Sequence, residues 1–226
     1  MHNEETVKKV EKLVKPTYLK LKVWAHGWLH IRNVAQAARD LANMEDEDAV
    51  LCQIAAYCHD LGRLEEEEKG LVNPRPGTSS PHGGFGVKPT REILQKVGVT
   101  GDDAKMIIEA VGIHNIRKYE GKNRITLILQ DADRVDGFGK LAILRFAVFN
   151  CGMDLSQPKT QKDIDKSFED VKKKLRANSV YRNRMIEVLK NVFDWVDVLA
   201  NTRSLKKYVA EGYDFNKKFL EEIEKY

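Results

Sequence analysis

The chain has few cysteines and no long apolar run, and each shortage excludes a class of protein. Its 226 residues include three cysteines, Cys52, Cys58 and Cys151. An odd number without a close CxxC pair rules out a disulfide framework and a zinc ribbon. Cys52 and Cys58 sit inside an apolar run and read as small core residues, which suits a reducing, cytoplasmic setting. No segment approaches the roughly 18 apolar residues of a membrane span. Met1–Glu5 carries no basic stretch followed by an apolar core, so neither a signal peptide nor a membrane partner is expected. Strand signals are nearly absent, with no clean alternation and no Asn-Gly hairpin between apolar runs. There is no GxGxxG, no P-loop, no persuasive Ser, Thr or Cys nucleophile arrangement, no internal repeat and no low-complexity segment. Charge of one sign is lacking too: 38 Lys and Arg against 34 Asp and Glu leave +4, with the signs interleaved. Lys172–Lys174 with Arg176 reads as a solvated helix face, so no nucleic acid polymer is expected as a partner. The mild positive balance favours small anions such as phosphate esters.

What is present is helical periodicity, and the fold class is all-α. The length fits one helical domain over 1–226, with ample core. The pattern predicts a helix over 6–22 interrupted at Pro16. A second run starts near Trp24, with Ile31, Val34, Ala35, Ala38 and Leu41 on one face. Asp46–Asp48 opens a third helix carrying Val50, Leu51, Ile54, Ala55 and Cys58, with Gly62 as its stop. Residues 63–82 read as a long loop: the acidic run Glu65–Glu68, then Pro74, Pro76, Gly77, Ser79, Ser80 and Pro81. Such loops are often lids or binding loops. Helix resumes around Pro89–Val97, again from Asp102 through Ile107, Ile108, Val111 and His114, and then from Asn123–Arg124 as one long apolar helix through Phe149. From about Thr160 to the end the pattern is charged and helical.

Five of the six histidines lie between positions 26 and 114. His59–Asp60 closes the apolar run Ile54–Cys58, where a carboxylate costs several kcal/mol to desolvate unless something neutralises it. On composition alone, a metal ion there and a helix end with Asp60 facing water stand level. His30 tips that balance, because it shares the core face of its helix with Val34, Ala37 and Leu41. His82, His114, Asp131 and Asp133 follow on later segments, and imidazoles and carboxylates gathered from separate helices are how helical folds build metal sites.

The pieces His30-Ile-Arg-Asn-Val-Ala, Ala-Ala-Tyr-Cys-His59-Asp60-Leu-Gly-Arg63 and Asp131-Ala-Asp133-Arg-Val-Asp136 resemble the H…HD…D signature of the HD-domain superfamily of metal-dependent phosphohydrolases. The resemblance spans about residues 24–150; the helices over 160–226 carry no comparable signature and read as an extension of the bundle. It implies a divalent ion (Mn, Fe, Ni, Co, Zn or Mg) on His30, His59, Asp60 and Asp133. His26, four residues before His30, shares its helix face on this reading. His30 is preferred as ligand because it stands four before Val34, as the family's ligand does. Asp131 is the alternative to Asp133, since it keeps register with Leu127 and Val135. His82 and His114 fall where some HD subfamilies carry extra histidines, as ligands of a second ion or as phosphate contacts. The rival reading of His82 is a solvated histidine on an exposed loop. Asn115 after His114 departs from the HD-GYP pattern and argues against cyclic-dinucleotide hydrolysis. Arg63, Arg117, Lys118 and Arg134 are candidate phosphate contacts, with surface ion pairs as the rival reading.

The expected activity is hydrolysis of a small phosphate ester, a nucleotide or related compound, by a metal-activated water. Asp60, Arg63, His82 and His114 would be the catalytic residues. An HD-fold di-iron oxygenase and a nucleotide-binding module without turnover remain as alternatives, and a homodimer is left open.

Overall fold

The computed structural model of the protein describes residues 2–72 and 80–226. Pro74, Pro76, Gly77 and Ser79 of the expected loop lie outside the described residues. The described residues are all-α, without a strand. In chain order the helices are α1 (Glu4–Tyr18), a 3-10 turn (Trp24–His26), α2 (Trp28–Met44), α3 (Ala49–Cys58), α4 (Arg63–Glu68), α5 (His82–Val97) and α6 (Gly101–Ile113). They continue with α7 (Arg124–Val135), α8 (Lys140–Phe149), α9 (Gln161–Ala177), α10 (Ser179–Asp197), α11 (Ser204–Tyr208) and α12 (Ala210–Ile223).

Two apolar clusters organise them. The first gathers α1, α2, α3, α5, α6 and α7 around Val14, Ile31, Leu41, Ile54, Ile107 and Ile128. α2 turns Ile31, Val34, Ala38 and Leu41 inward at helical spacing, with His30 beside them. α3 is buried nearly all round, from Leu51 to Cys58, and Asp48 starts it by accepting the Leu51 N–H at 2.9 Å. The second cluster joins α8, α9, α10 and α12 around Ile143, Leu175, Met185, Leu189 and Phe219. Polar clips tie the two together. Trp24 Nε1 donates to Leu155 O at 2.7 Å, and Arg145 Nε donates to Ala25 O at 2.6 Å. The Lys172–Lys174 segment lies on the outside of α9, where Lys172 and Arg176 share the Glu222 carboxylate.

Several expectations change. Pro16 sits in the last turn of α1, so the first helix ends at Tyr18 and not at residue 22. The acidic run is not loop but α4, and it buries Glu66 completely. Helix does not resume at Pro89 but at His82, so His82 opens α5. The expected single helix to Phe149 is two, α7 and α8. The break ends at Gly139, whose φ of 90° suits only glycine. Gly62 is not a left-handed stop, since its φ is −74°. It is glycine because α5 crosses there: a Cβ at 62 would lie 2.0 Å from the His82 carbonyl oxygen and 2.6 Å from Gly86 N.

Gly62→Ala should therefore force two backbones apart and destabilise by about 1–3 kcal/mol. Gly84→Ala, where a Cβ meets nothing within 4 Å on the same helix start, should be neutral or stabilise by about 0.5 kcal/mol. Thermal melts of the two variants check this, and equal melting temperatures would contradict the packing argument.

Candidate metal centre

Asp60 lies at the centre of the site, 2% exposed, in the turn that follows α3. Its Oδ2 faces one group of imidazoles: His30 Nε2 at 3.7 Å, His59 Nε2 at 3.6 Å and His26 Nδ1 at 3.5 Å. Its Oδ1 faces another, His82 Nε2 at 3.2 Å and His114 Nε2 at 3.7 Å. Asp133, on α7, completes the first group, with Oδ1 3.4 Å from His30 Nε2 and 3.9 Å from His59 Nε2.

Each imidazole is aimed by the bond on its far nitrogen. His59 and His114 each follow the last residue of a helix, α3 and α6. Each donates Nδ1–H to the carbonyl three residues back: Ala56 O at 2.7 Å and Val111 O at 2.8 Å. That fixes the tautomer and turns the Nε2 lone pair into the site. His30 does the same through Asp136, whose Oδ2 accepts from Nδ1 at 2.8 Å. Asp136 is in turn held by Arg145 Nη1 at 2.5 Å and by the Asn33 amide at 3.1 Å. His82 Nδ1 meets Ser80 Oγ at 2.6 Å, and Ser80 donates to the buried Glu66 carboxylate.

Protonation follows from burial and neighbouring charge. Burial pushes His59 down to about 4, so near neutral pH it presents a lone pair. Burial also lowers His26, to about 3, with Arg63 adding to the effect. Burial by itself would raise Asp60, but Arg63, then His59 and His82, outweigh it and hold the carboxyl well below its usual range. Asp133 is likewise raised by burial and lowered more strongly by His59 and His30, to about 2. The centre therefore presents two carboxylates and, from His59 and His26, neutral donor nitrogens.

The donor set fits a divalent ion. His59 Nε2 is fully buried and has no hydrogen-bond partner, a vacancy that costs free energy unless a cation meets it. Donor atoms of His30, His59 and Asp133 lie within 4.8 Å of one another, as do those of His26, His30 and Asp60 and of His59, Asp60 and His114. Nitrogen and carboxylate oxygen are the ligands that first-row divalent metals take.

The expected residues thus separate. His30, His59, Asp60, Asp133, His82, His114 and Arg63 come together. Asp131 does not join them: it accepts from Arg134 Nη1 at 2.8 Å and from the backbone N–H groups of Asn201 and Thr202 at 3.1 and 2.7 Å. Arg134 also donates to Leu199 O and Arg117 O, so it is a structural partner of Asp131. Arg117 and Lys118 are largely exposed and pair with Asp194 and Glu120. His26 reaches the site from the 3-10 turn and not from the face of α2. His82 is buried, so the solvated-loop reading falls. Sequence reasoning missed Glu66, Ser80, Asn33 and Arg145, and gave Asp136 no role. The spacings Arg63–Glu66 and Asp133–Asp136, each i,i+3 on a helix, were the available signals.

Residues 27–137 match the family model of the HD domain. The chain carries an HD domain. Solved structures extend the likeness beyond it, as a likeness of fold. A Lactobacillus plantarum protein is 20% identical, with 99% of this chain and 97% of that one covered and a TM-score of 0.64. Bacillus subtilis YpgQ, solved in complex with ADP, is 18% identical over 98% and 94%, with a TM-score of 0.60. An HD-superfamily hydrolase from Bacillus thuringiensis is 20% identical over 98% and 96%, with a TM-score of 0.58. A comparison with the curated proteins finds no match. HD domains typically bind divalent metals, as the donor set would allow here. Among the described residues no helix is long and apolar enough to cross a membrane.

Asp133→Asn should lose metal while keeping its melting temperature in the metal-free state. Asp131→Asn should keep metal but weaken the buried pair with Arg134 by about 2 kcal/mol or more. Metal analysis and melting of both variants decide it, and the reverse pattern would exchange the two roles.

Proposed function

We propose that the chain is a metal-dependent phosphohydrolase acting on a small phosphate ester of the nucleotide class. One observation carries the reading. The Nε2 atoms of His30 and His59 each lie 3.4 to 3.9 Å from the carboxylates of Asp60 and Asp133, and Asp133 lines a cavity of about 620 Å³ together with His26, His82, His114 and the Arg63 guanidinium. That volume suits a small ligand. The ADP bound to YpgQ, a protein of the same fold, supports the same substrate class.

An ion on these four residues would supply an acidified water and polarise a phosphoryl oxygen. The chain's own groups do the rest. Arg63 donates Nε–H to Asp60 Oδ1 at 3.2 Å and Nη1–H to Glu66 at 2.8 Å, so its plane is fixed at the cavity wall and offers charge to a phosphate. His82 and His114 form the proton-handling pair. Their Nδ1 atoms are committed to oxygens, and their Nε2 atoms lie 3.1 Å apart, both close to Asp60 Oδ1. Two lone pairs facing one carboxylate oxygen require a positive charge between them. A shared proton answers that need and can be handed to a leaving oxygen.

The same three acceptors favour a second reading, in which another ion takes the proton's place, as in two-metal hydrolases and di-iron oxygenases. Arg63, already bonded to Asp60 Oδ1, puts fixed positive charge where that ion would sit, and this favours one ion.

Protein purified without chelator should hold one divalent ion per chain and release phosphate or pyrophosphate from nucleotides; removing the ion with chelator should abolish turnover. His82→Ala and His114→Ala should keep that ion and lose about 10²–10⁴-fold in kcat. Loss of a metal equivalent in either variant selects the two-ion reading. Iron content with oxygen consumption selects the oxygenase, and binding of ADP without turnover selects a sensor.

A further inference from the structure

The half of the cavity remote from Asp60 is built by the C-terminal helices, which lie outside the residues that match the HD family model. α10 presents Val188, Asn191, Val192 and Trp195 to it, a set at i, i+3, i+4 and i+7 that faces one way. Trp195 is seated by a specific device. Its ring occupies the place a Cβ of Gly137 would take, with Cζ3 2.6 Å and Cε3 3.1 Å from that position. Opposite, Phe146 and Phe149 line the cavity from α8, and Phe149 stands edge-on to His26 with ring centroids 4.4 Å apart. An aromatic and aliphatic wall thus runs from α10 back to the histidines.

Two polar groups interrupt that wall. The Asn191 side-chain amide and the Trp195 indole N–H make no hydrogen bond among the described residues. The amide offers donors and an acceptor together, one helical turn from a flat ring. An acyl chain would use the wall and leave the amide unanswered. A bare sugar phosphate would answer the amide and waste the wall. A planar heterocycle with hydrogen-bonding edges uses both.

We infer that Trp195 and Asn191 form a nucleobase subsite: the base of the substrate stacks on the α10 wall and hydrogen-bonds Asn191, while its phosphates reach Arg63 and the ion. This rests on the phosphohydrolase reading for what happens to the phosphates, but the binding of a base does not depend on turnover. The C-terminal helices would then be the part of the chain that selects the substrate.

Calorimetry with the metal-loaded protein tests this, using ADP, ribose 5-phosphate and inorganic pyrophosphate as probes. ADP should bind at least tenfold tighter than either base-free probe. Trp195→Leu and Asn191→Ala should each erase most of that margin and leave pyrophosphate affinity unchanged, which also shows that the variants are folded. Equal affinity of the wild type for the three probes, or a margin kept in both variants, overturns the subsite. If Trp195→Leu also loses pyrophosphate, Asn191→Ala alone decides. Failure of the hydrolase reading shows separately, as ADP bound with its margin but not cleaved.

Discussion

The structure depends on one buried charge. The Asp60 carboxylate is sealed from water at the end of the most apolar helix in the chain, and such a group is tolerated only when every lone pair is answered. Imidazoles from five segments, the Arg63 guanidinium and an ion that the donor set would accept are that answer. The local geometry follows from it. α3 and α6 stop where they do so that His59 and His114, each one residue past its helix, can bend Nδ1 back to a helix carbonyl and Nε2 onto Asp60. Gly62 has no side chain because the backbone bearing His82 must cross within contact of the turn that bears Asp60.

A second layer keeps those ligands from moving. Asp136, Arg145 and Asn33 hold His30; Glu66 and Ser80 hold His82. The layer also couples the two halves of the molecule. Arg145 belongs to α8 and reaches both Asp136 and the Ala25 carbonyl. Asp131 and Arg134, one turn away on α7, bond the segment that follows α10. The placement of α10 on the cavity is thus tied to the same helix that carries Asp133.

Much of this was legible in the sequence, and the rest was hidden for physical reasons. All-α character and the α2 and α3 faces follow from periodicity and residue type, and the HD motif from its resemblance to a known family. The choice between Asp131 and Asp133 did not, because it turns on their surroundings: Asp131 is fully buried against Arg134 and backbone amides, while Asp133 is partly exposed on the cavity wall beside the histidines. His82 looked exposed because Pro and Gly precede and follow it. In the fold those glycines permit close packing: a Cβ at Gly83 would meet the Gly112 carbonyl at 2.8 Å. The acidic run hid a buried residue, since Glu66 looks like its neighbours until Arg63 and Ser80 are brought to it. The α10 wall was invisible because Trp195 and Asn191 acquire meaning only beside Gly137 and the cavity.

The account stands or falls on whether Asp60 holds an ion. Wild-type protein and Asp60→Asn, stripped with chelator, reloaded with Mn²⁺ and freed of excess, can be compared by metal analysis. One equivalent in the wild type and almost none in a folded Asp60→Asn variant is the result expected. The same metal content in both would contradict the centre described here.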